Sequence, residues 1–228
     1  MRRQANQIII ESFPVGSFAC NCSIIYHATT KDAIIIDPGN DAKIILDFIN
    51  KYSLNVKKLI HTHAHFDHIG HSDQLRKKTG ATIHLQKDDL FLYNLLPQQA
   101  LFFGETVLSA DPVDAFIEDN ELFKIDYNKK GAIKTVANSL ETLHTPGHTP
   151  GSCCFYTEFF EQPLLFSGDT LFSQSIGRTD LPGGDSDLIL KSIKKRLWQL
   201  PEETICIPGH GPTTNIYREK KTNPFLQT

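Results

Sequence analysis

Four side chains of types that bind divalent metal ions lie close together in the first third of the chain. Residues 63–68 read HAHFDH. Imidazole nitrogens and carboxylate oxygens are the usual protein ligands of zinc and related ions. Because alternate side chains of an extended segment point the same way, His63 and His65 are expected to share one ion. Asp67 and His68 follow a turn and can face a second ion.

Three further candidate ligands lie in glycine-containing turns later in the chain. His148 lies inside a Thr-Pro-Gly-His-Thr-Pro-Gly run, Asp169 follows a glycine, and His210 lies between two glycines. Glycine allows the backbone to bring a neighbouring side chain close to a ligand. Together with the first run, these residues supply the number of ligands that two ions need.

Strands are predicted immediately before the candidate ligands. Apolar runs bounded by turn residues predict strands over 7–13, 22–27, 33–37, 56–61, 81–85, 132–136, 140–144, 152–157, 163–167 and 204–208. Helical spacing of apolar residues predicts helices after Asp41 and over 70–79, 88–103, 185–200 and 213–221, with a long loop over 169–184. Two similar halves of strands and helices predict two packed sheets with helices on the outer faces. No linker is evident, so residues 1–228 are expected to form one metallo-hydrolase domain.

Composition restricts the class of protein. The net charge is −3, which argues against an electrostatic nucleic-acid partner. No stretch approaches the ~20 apolar residues of a membrane span, and the short apolar run near residue 8 is too short for a signal-peptide core. Five cysteines, an odd number, do not suggest a disulfide framework. A soluble, cytoplasmic protein with a small-molecule substrate, no nucleic-acid partner and no membrane partner is expected.

The ordered set of motifs between residues 61 and 211 resembles the metallo-β-lactamase superfamily. The resemblance implies an α+β fold, the four-layer αββα sandwich of two mixed sheets. It implies that one metal ion is held by His63, His65 and His148, that a second is held by Asp67, His68 and His210, and that Asp169 bridges the two. Two divalent ions are therefore expected, with zinc as the expected metal and iron or manganese as alternatives.

Within that superfamily, the chain is similar to the glyoxalase II-like group, the hydroxyacylglutathione hydrolases. The segments that carry this resemblance are Asp-Thr-Leu-Phe from residue 169, Gly-Arg-Thr-Asp from residue 177, and residues 219–225. Too few residues follow the last predicted helix for the C-terminal helical domain of the longer members, so the shorter bacterial type is expected. Arg178 and Asp180 are expected either to form an ion pair at the pocket floor or to serve only the loop.

The resemblance implies a binuclear thioester hydrolase acting on S-D-lactoylglutathione or a related hydroxyacyl thiol. Two ions would activate a shared water and polarise the carbonyl, and Asp67, the expected catalytic residue, would orient that water. The alternative is a glutathione persulfide dioxygenase with a single iron, held by His148, Asp169 and either His63 or His65. A β-lactam hydrolase is disfavoured, because such an enzyme would be expected to be secreted.

Overall fold

Two β-sheets packed face to face form the centre of the molecule. The computed structural model describes residues 1–5, 7–124 and 139–227. The strand predicted over 132–136 lies outside the described residues, and the assignment of 1–228 to one domain stays a prediction.

The first sheet contains strands β1 to β7 in chain order. Their bounds are Arg2–Ala5, Ile8–Val15, Cys20–His27, Asp32–Ile36, Asn55–Ile60, Thr82–Gln86 and Ala115–Ile117. The first four strands pair antiparallel, whereas β4 to β7 pair in parallel. Nearly every residue of β3 and β4 is buried, which is the pattern of strands covered on both faces.

The second sheet has the order β15-β14-β11-β10-β9-β8. Its strands are Leu122–Lys124 (β8), Ser139–His144 (β9), Cys153–Thr157 (β10), Leu164–Gly168 (β11), Ile205–Pro208 (β14) and Thr214–Asn215 (β15). Strands β11 and β14 pair in parallel and the other pairs are antiparallel. A separate hairpin, β12 (Leu171–Phe172) and β13 (Ser175–Ile176), lies within the predicted long loop.

Helices cover the outer faces of both sheets. They are Ala42–Tyr52 (α1), Phe66–Ile69 (α2), Ser72–Thr79 (α3), Leu90–Asn94 (α4), Leu96–Phe102 (α5), Ser186–Ser192 (α6) and Ile216–Thr222 (α7). As predicted, Asp41 caps α1, and its side chain accepts a hydrogen bond from the Ile44 amide. No helix in the described ranges is both long and apolar enough to cross a membrane.

Three apolar clusters define the layers. The one between the sheets joins isoleucines of the first sheet, such as Ile34 and Ile60, to Phe155 and Phe166 of the second. A second cluster packs α1 to α5 against the outer face of the first sheet. A third packs α6 and α7 against the second sheet. The fold is therefore the predicted αββα sandwich of two mixed sheets.

The helix predicted over 88–103 differs from the observed chain. Residues Lys87–Asp89 form a 3₁₀ turn, and α4 and α5 are separated at Leu95. The expected break was at Pro97, but this proline lies in the first turn of α5. Proline is tolerated there because the first amides of a helix have no intrahelical acceptor.

Candidate metal centre

All seven candidate ligands meet at one end of the sandwich, where strands of both sheets finish. The run of residues 63–68 follows β5, and His148 lies in the turn between β9 and β10. Asp169 follows β11 and His210 follows β14. Strands β11 and β14 are parallel neighbours, so their carboxyl ends lie at the same edge. The sandwich thus brings candidate ligands that are distant in sequence into one cluster.

The first group consists of three buried imidazoles. His65 Nδ1 lies 3.1 Å from His63 Nε2 and 3.0 Å from His148 Nε2. Two ligands at about 2.0–2.1 Å from a tetrahedral ion are about 3.3 Å apart. The spacing of these three nitrogens therefore fits a single ion.

The second group combines two imidazoles and a carboxylate. His210 Nε2 lies 3.1 Å from both His68 Nε2 and Asp67 Oδ2. His68 Nε2 lies 3.9 Å from the same Asp67 oxygen. These three atoms fit a second ion by the same criterion of spacing.

Asp169 lies between the two groups. Its Oδ2 is 3.7 Å from His148 Nε2 and 3.8 Å from His210 Nε2, and its Oδ1 is 3.4 Å from His68 Nε2. Oδ1 is buried and has no hydrogen-bond partner among the described residues. A buried carboxylate oxygen without a partner is costly, and a cation satisfies it. The geometry and the chemistry of the donors both fit two ions bridged by this residue.

The proton positions inferred from the hydrogen bonds agree with metal binding. The Thr62 hydroxyl donates to Asp37 and therefore accepts from His63 Nδ1, at 3.0 Å. His148 Nδ1 donates to the Arg178 carbonyl at 2.7 Å, and His210 Nδ1 donates to the Phe18 carbonyl at 2.9 Å. In each of these rings the Nε2 lone pair is left to face the centre.

Burial and neighbouring charges shift the pKa values within the centre. Burial lowers the pKa of His65 to about 3, so this imidazole is neutral and can donate a lone pair. Burial would raise the pKa of Asp67 and of Asp169, but the adjacent imidazoles, His68 foremost, hold both below the usual value. Burial would lower the pKa of His68, yet Cys20 and the nearby carboxylates raise it overall. The cluster of carboxylates thus favours positive charge at its centre.

Asp37 is hydrogen-bonded to one member of the second group, His68, and through Thr62 to one member of the first group, His63. Its Oδ2 accepts hydrogen bonds from Thr62 Oγ1 at 2.6 Å and from His68 Nδ1 at 3.0 Å, and its Oδ1 accepts from the Thr62 amide at 2.8 Å. The backbone of Asp37 is left-handed, with φ 47°. Uncommon backbone conformations of this kind occur where the surrounding structure fixes them, often at functional sites.

A second buried carboxylate joins the first ligand run to the His148 loop. Asp89 accepts hydrogen bonds from the Ala64 amide at 3.0 Å, from Thr149 Oγ1 at 2.8 Å and from the Gly151 amide at 2.6 Å. Burial raises the pKa of this carboxyl, although the three donors act to lower it. Asp89 therefore fixes the relative position of two segments that carry candidate ligands.

Comparison with known proteins identifies the family. The model of the metallo-β-lactamase superfamily matches residues 15–210. The chain belongs to this superfamily. Its relatives include the hydroxyacylglutathione hydrolase GloC of Haemophilus influenzae, which is 41% identical over 96% of this chain and 98% of GloC. The predicted resemblance to the hydroxyacylglutathione hydrolase-like members is therefore confirmed.

Solved structures of metallo-β-lactamase-fold proteins superpose on nearly the whole chain. BLEG-1, described as a B3 metallo-β-lactamase, has a TM-score of 0.83 and 36% identity, covering 96% of this chain and all of its own. TTHA1623, solved in a di-iron-bound form, has a TM-score of 0.80 and 33% identity, covering 95% of this chain and 100% of its own. These similarities confirm the fold, and the superfamily binds divalent metal ions.

Two glycines allow the segments around the centre to pack closely against each other. Gly168 has a left-handed backbone, with φ 48°, and a Cβ on it would overlap Thr62. A Cβ on Gly209 would overlap Asp169 Oδ1 and the His68 ring. The role predicted for glycine beside the ligands is thus a steric requirement.

Sequence reasoning missed Asp37, Asp89 and Asn21. Asn21 Nδ2 donates to the carbonyls of Pro208 and Gly211 at 2.9 and 3.0 Å, and so holds the His210 loop against the first sheet. Asp37 could have been found from the sequence, because it is an acidic residue at the carboxyl end of a predicted strand. That strand, β4, pairs with β5, which precedes residues 63–68. Asp89 and Asn21 have no comparable local signal.

The Arg178–Asp180 pair predicted from the sequence is present. Arg178 Nε and a terminal nitrogen each donate to Asp180 at 2.7 Å, and both side chains are largely exposed. Arg178 also lines the pocket, while its carbonyl accepts from His148. The loop thus contributes a pocket wall and orients one imidazole.

A pocket of about 620 Å³ opens above the centre, and Asp67, Asp169 and three imidazoles form its floor. Its apolar wall contains Phe18, Phe66, Leu92, Leu95, Phe102 and Phe103. Sequence reasoning did not single out these residues, because they come from separate segments and show no pattern in the chain.

Proposed function

We propose that the protein is a binuclear metal-dependent thioester hydrolase acting on S-D-lactoylglutathione or a related hydroxyacyl thiol. The observation that carries the proposal is the pair of three-ligand groups spanned by Asp169, whose buried Oδ1 has no partner among the described residues. The relative named hydroxyacylglutathione hydrolase supports the choice of reaction. When bound, two ions would polarise the thioester carbonyl and activate the attacking water.

The residues of the chain hold the reactants in place. Asp67 lines the pocket, and its lowered pKa keeps the carboxylate ionised and able to accept a hydrogen bond from the attacking water. Asp37 and the Arg178 carbonyl fix the imidazoles of His68 and His148. A thiolate is a good leaving group, so the reaction does not require a strong general acid.

Metal content and substrate preference test the proposal together. We expect about two divalent ions per chain and hydrolysis of S-D-lactoylglutathione or of another hydroxyacyl thioester. One iron per chain with oxygen uptake on glutathione persulfide would instead establish the dioxygenase alternative. Turnover of a cephalosporin in the absence of thioesterase activity would replace the proposal with the activity named for BLEG-1.

Substitution of the proposed catalytic carboxylate separates a two-metal mechanism from a one-metal mechanism. Asp67→Ala is expected to lower kcat/KM for the thioester by about 10²–10⁴-fold, and to reduce the metal content from two ions to one. Asp187→Asn, an exposed carboxylate in the first turn of α6, is the matched control and should leave both quantities unchanged. Full turnover by Asp67→Ala would contradict the two-metal mechanism.

A further inference from the structure

His210 is the most exposed candidate ligand of the second group. Its side chain is 27% exposed, against 13% for Asp67 and 0% for His68. It lies between Gly209 and Gly211, which have no side chains that could pack against neighbouring elements. The position of this imidazole therefore depends on hydrogen bonds to the loop and to the ring itself.

The backbone hydrogen bonds of this loop converge on Asn21, the second residue of β3. Asn21 Nδ2 donates to the carbonyls of Pro208 and Gly211 at 2.9 and 3.0 Å, and its backbone N–H donates to that of Gly209 at 2.7 Å. The amide of Gly209 also donates to the Gly168 carbonyl at 2.8 Å, but this bond lies before the ligand in the chain. The Asn21 side chain joins the residues on both sides of the ligand.

The ring of His210 is oriented by the same segment of the first sheet. Its Nδ1 donates at 2.9 Å to the carbonyl of Phe18, three residues before Asn21. Its Nε2 thereby faces His68 Nε2 and Asp67 Oδ2, each at 3.1 Å. A candidate ligand that belongs to the second sheet is thus positioned from the first.

The first group is held by other contacts. His148 Nδ1 donates to the Arg178 carbonyl, and the loop that carries His148 is bound by Asp89. Among the described residues, no hydrogen bond joins Asn21 to the three imidazoles of this group. A change in the side chain of Asn21 is therefore expected to act on one site and not on the other.

We propose that Asn21 is a positioning residue that sets the affinity of the second metal ion and leaves that of the first unchanged. The inference rests on the binuclear centre of the proposed function and names the residue that controls its occupancy. Loss of a residue that supports metal ligands through hydrogen bonds typically lowers metal affinity by about 10–100-fold. Without this side chain, a concentration of free ion that just fills both sites of the wild type would fill only the first.

Zinc content measured against free Zn²⁺ tests the inference without reference to activity. Metal-loaded protein is equilibrated in buffers of decreasing free Zn²⁺, and the bound zinc is counted by inductively coupled plasma mass spectrometry. The step that is missing from Asp67→Ala identifies the second site. We expect Asn21→Ala to move this step to about 10–100-fold higher free Zn²⁺ and to leave the other step in place.

A variant of nearly the same shape and an exposed asparagine complete the set. In Asn21→Asp, carboxylate oxygens would face the carbonyls of Pro208 and Gly211, so the second step should move at least as far. Asn50→Ala changes an exposed residue of α1 and should move neither step. An unchanged second step in either Asn21 variant, or an equal shift of both steps, would overturn the inference.

Recovery of activity by added metal separates positioning from a general structural role. All seven candidate ligands remain in Asn21→Ala, so its kcat for S-D-lactoylglutathione should return to the wild-type value at saturating Zn²⁺. A kcat that stays low with two ions bound would overturn the inference. Wild-type protein that binds two ions but hydrolyses no thioester would refute the thioesterase function alone, whereas wild-type protein that binds a single ion would refute both proposals.

Discussion

Asp89 makes no contact with the proposed ions, yet it orders the residues that would hold them. Its carboxylate accepts from the backbone beside His63 and His65 and from both sides of the turn that follows His148. In Asp89→Asn, the side-chain NH₂ would face one of the three donors that Asp89 binds. That hydrogen bond would be lost, and two hydrogen-bond donors would oppose each other. Mutation of a residue that supports the metal ligands by hydrogen bonds typically lowers metal affinity by about 10–100-fold.

We therefore expect Asp89→Asn to bind Zn²⁺ or Mn²⁺ about 10–100-fold more weakly in a chelator competition assay. The control is Asp88→Asn, which changes an exposed carboxylate one position away and should leave affinity unchanged. Equal affinities for wild type and Asp89→Asn would show that the ligand segments are held without this carboxylate.

The two classes of site residue differ in how visible they are in the sequence. The metal-binding types of residues 63–68 lie together, and His148, Asp169 and His210 each lie beside glycine, so chemistry and spacing identified them. The partners of Asp89 are up to 62 positions away, and those of Asn21 about 190. Such contacts depend on tertiary packing, which local pattern does not encode.

At the scale of elements, α7 holds the β12–β13 hairpin next to Asp169. The fully buried Glu219 of α7 accepts hydrogen bonds from the backbone N–H of Gln174 at 2.9 Å, from Asn223 Nδ2 at 2.8 Å and from Thr214 Oγ1. Asn223 in turn donates to the Ser175 carbonyl at 3.0 Å. One carboxylate thus joins the hairpin, β15 and the helix.

Glu219→Ala should destabilise the protein by about 3 kcal/mol, because buried donors lose a charged acceptor. For a chain of this size, that corresponds to a fall in Tm of about 6–12 °C. Differential scanning calorimetry measures it, and Glu203→Ala, at an exposed site, should stay within about 1–2 °C of wild type. A Glu219→Ala protein as stable as this control would show that the hairpin is held by other contacts.

Element boundaries were less predictable than element types. Strands β3 to β6 follow from apolar runs with turn residues between them. The separation of α4 from α5 at Leu95 has no local signal, because leucine favours helix. The β12–β13 hairpin lies where the sequence predicts a loop, since two-residue strands are too short to show alternation.

At the scale of the whole molecule, the proposed ions join the two sheets. Four of the proposed ligands follow β5 of the first sheet, and the other three, His148, Asp169 and His210, belong to connections of the second. Ions bound to the folded state stabilise it by mass action, about 4 kcal/mol per site at a concentration a thousand times Kd. The layered architecture was predictable, because the two similar halves of strands and helices and the ordered motifs between residues 61 and 211 both indicate it. The pocket wall was not predictable, because its residues come from separate segments of the chain.

Removal of metal should therefore lower Tm substantially. With EDTA, we expect Tm to fall by about 8–16 °C for each site emptied under those conditions. Thermal unfolding monitored by circular dichroism measures this change. EDTA saturated beforehand with Zn²⁺, which cannot take up a further ion, controls for the chelator itself. Equal Tm values in the two samples would mean that bound ions contribute nothing to folding.

The order of the ligands along the chain also sets the timing of assembly during synthesis. About 150 residues separate His63 from His210, so at about 5–20 residues per second the ribosome needs roughly 7–30 s to produce the last ligand after the first. During that interval, the first run is present without its full set of partners, and the inner face of the first sheet lacks its complete cover. The full set of proposed ligands therefore comes together only after the second sheet has emerged from the ribosome and packed against the first. Completion of the centre is thus a late step in the folding of the newly synthesised chain.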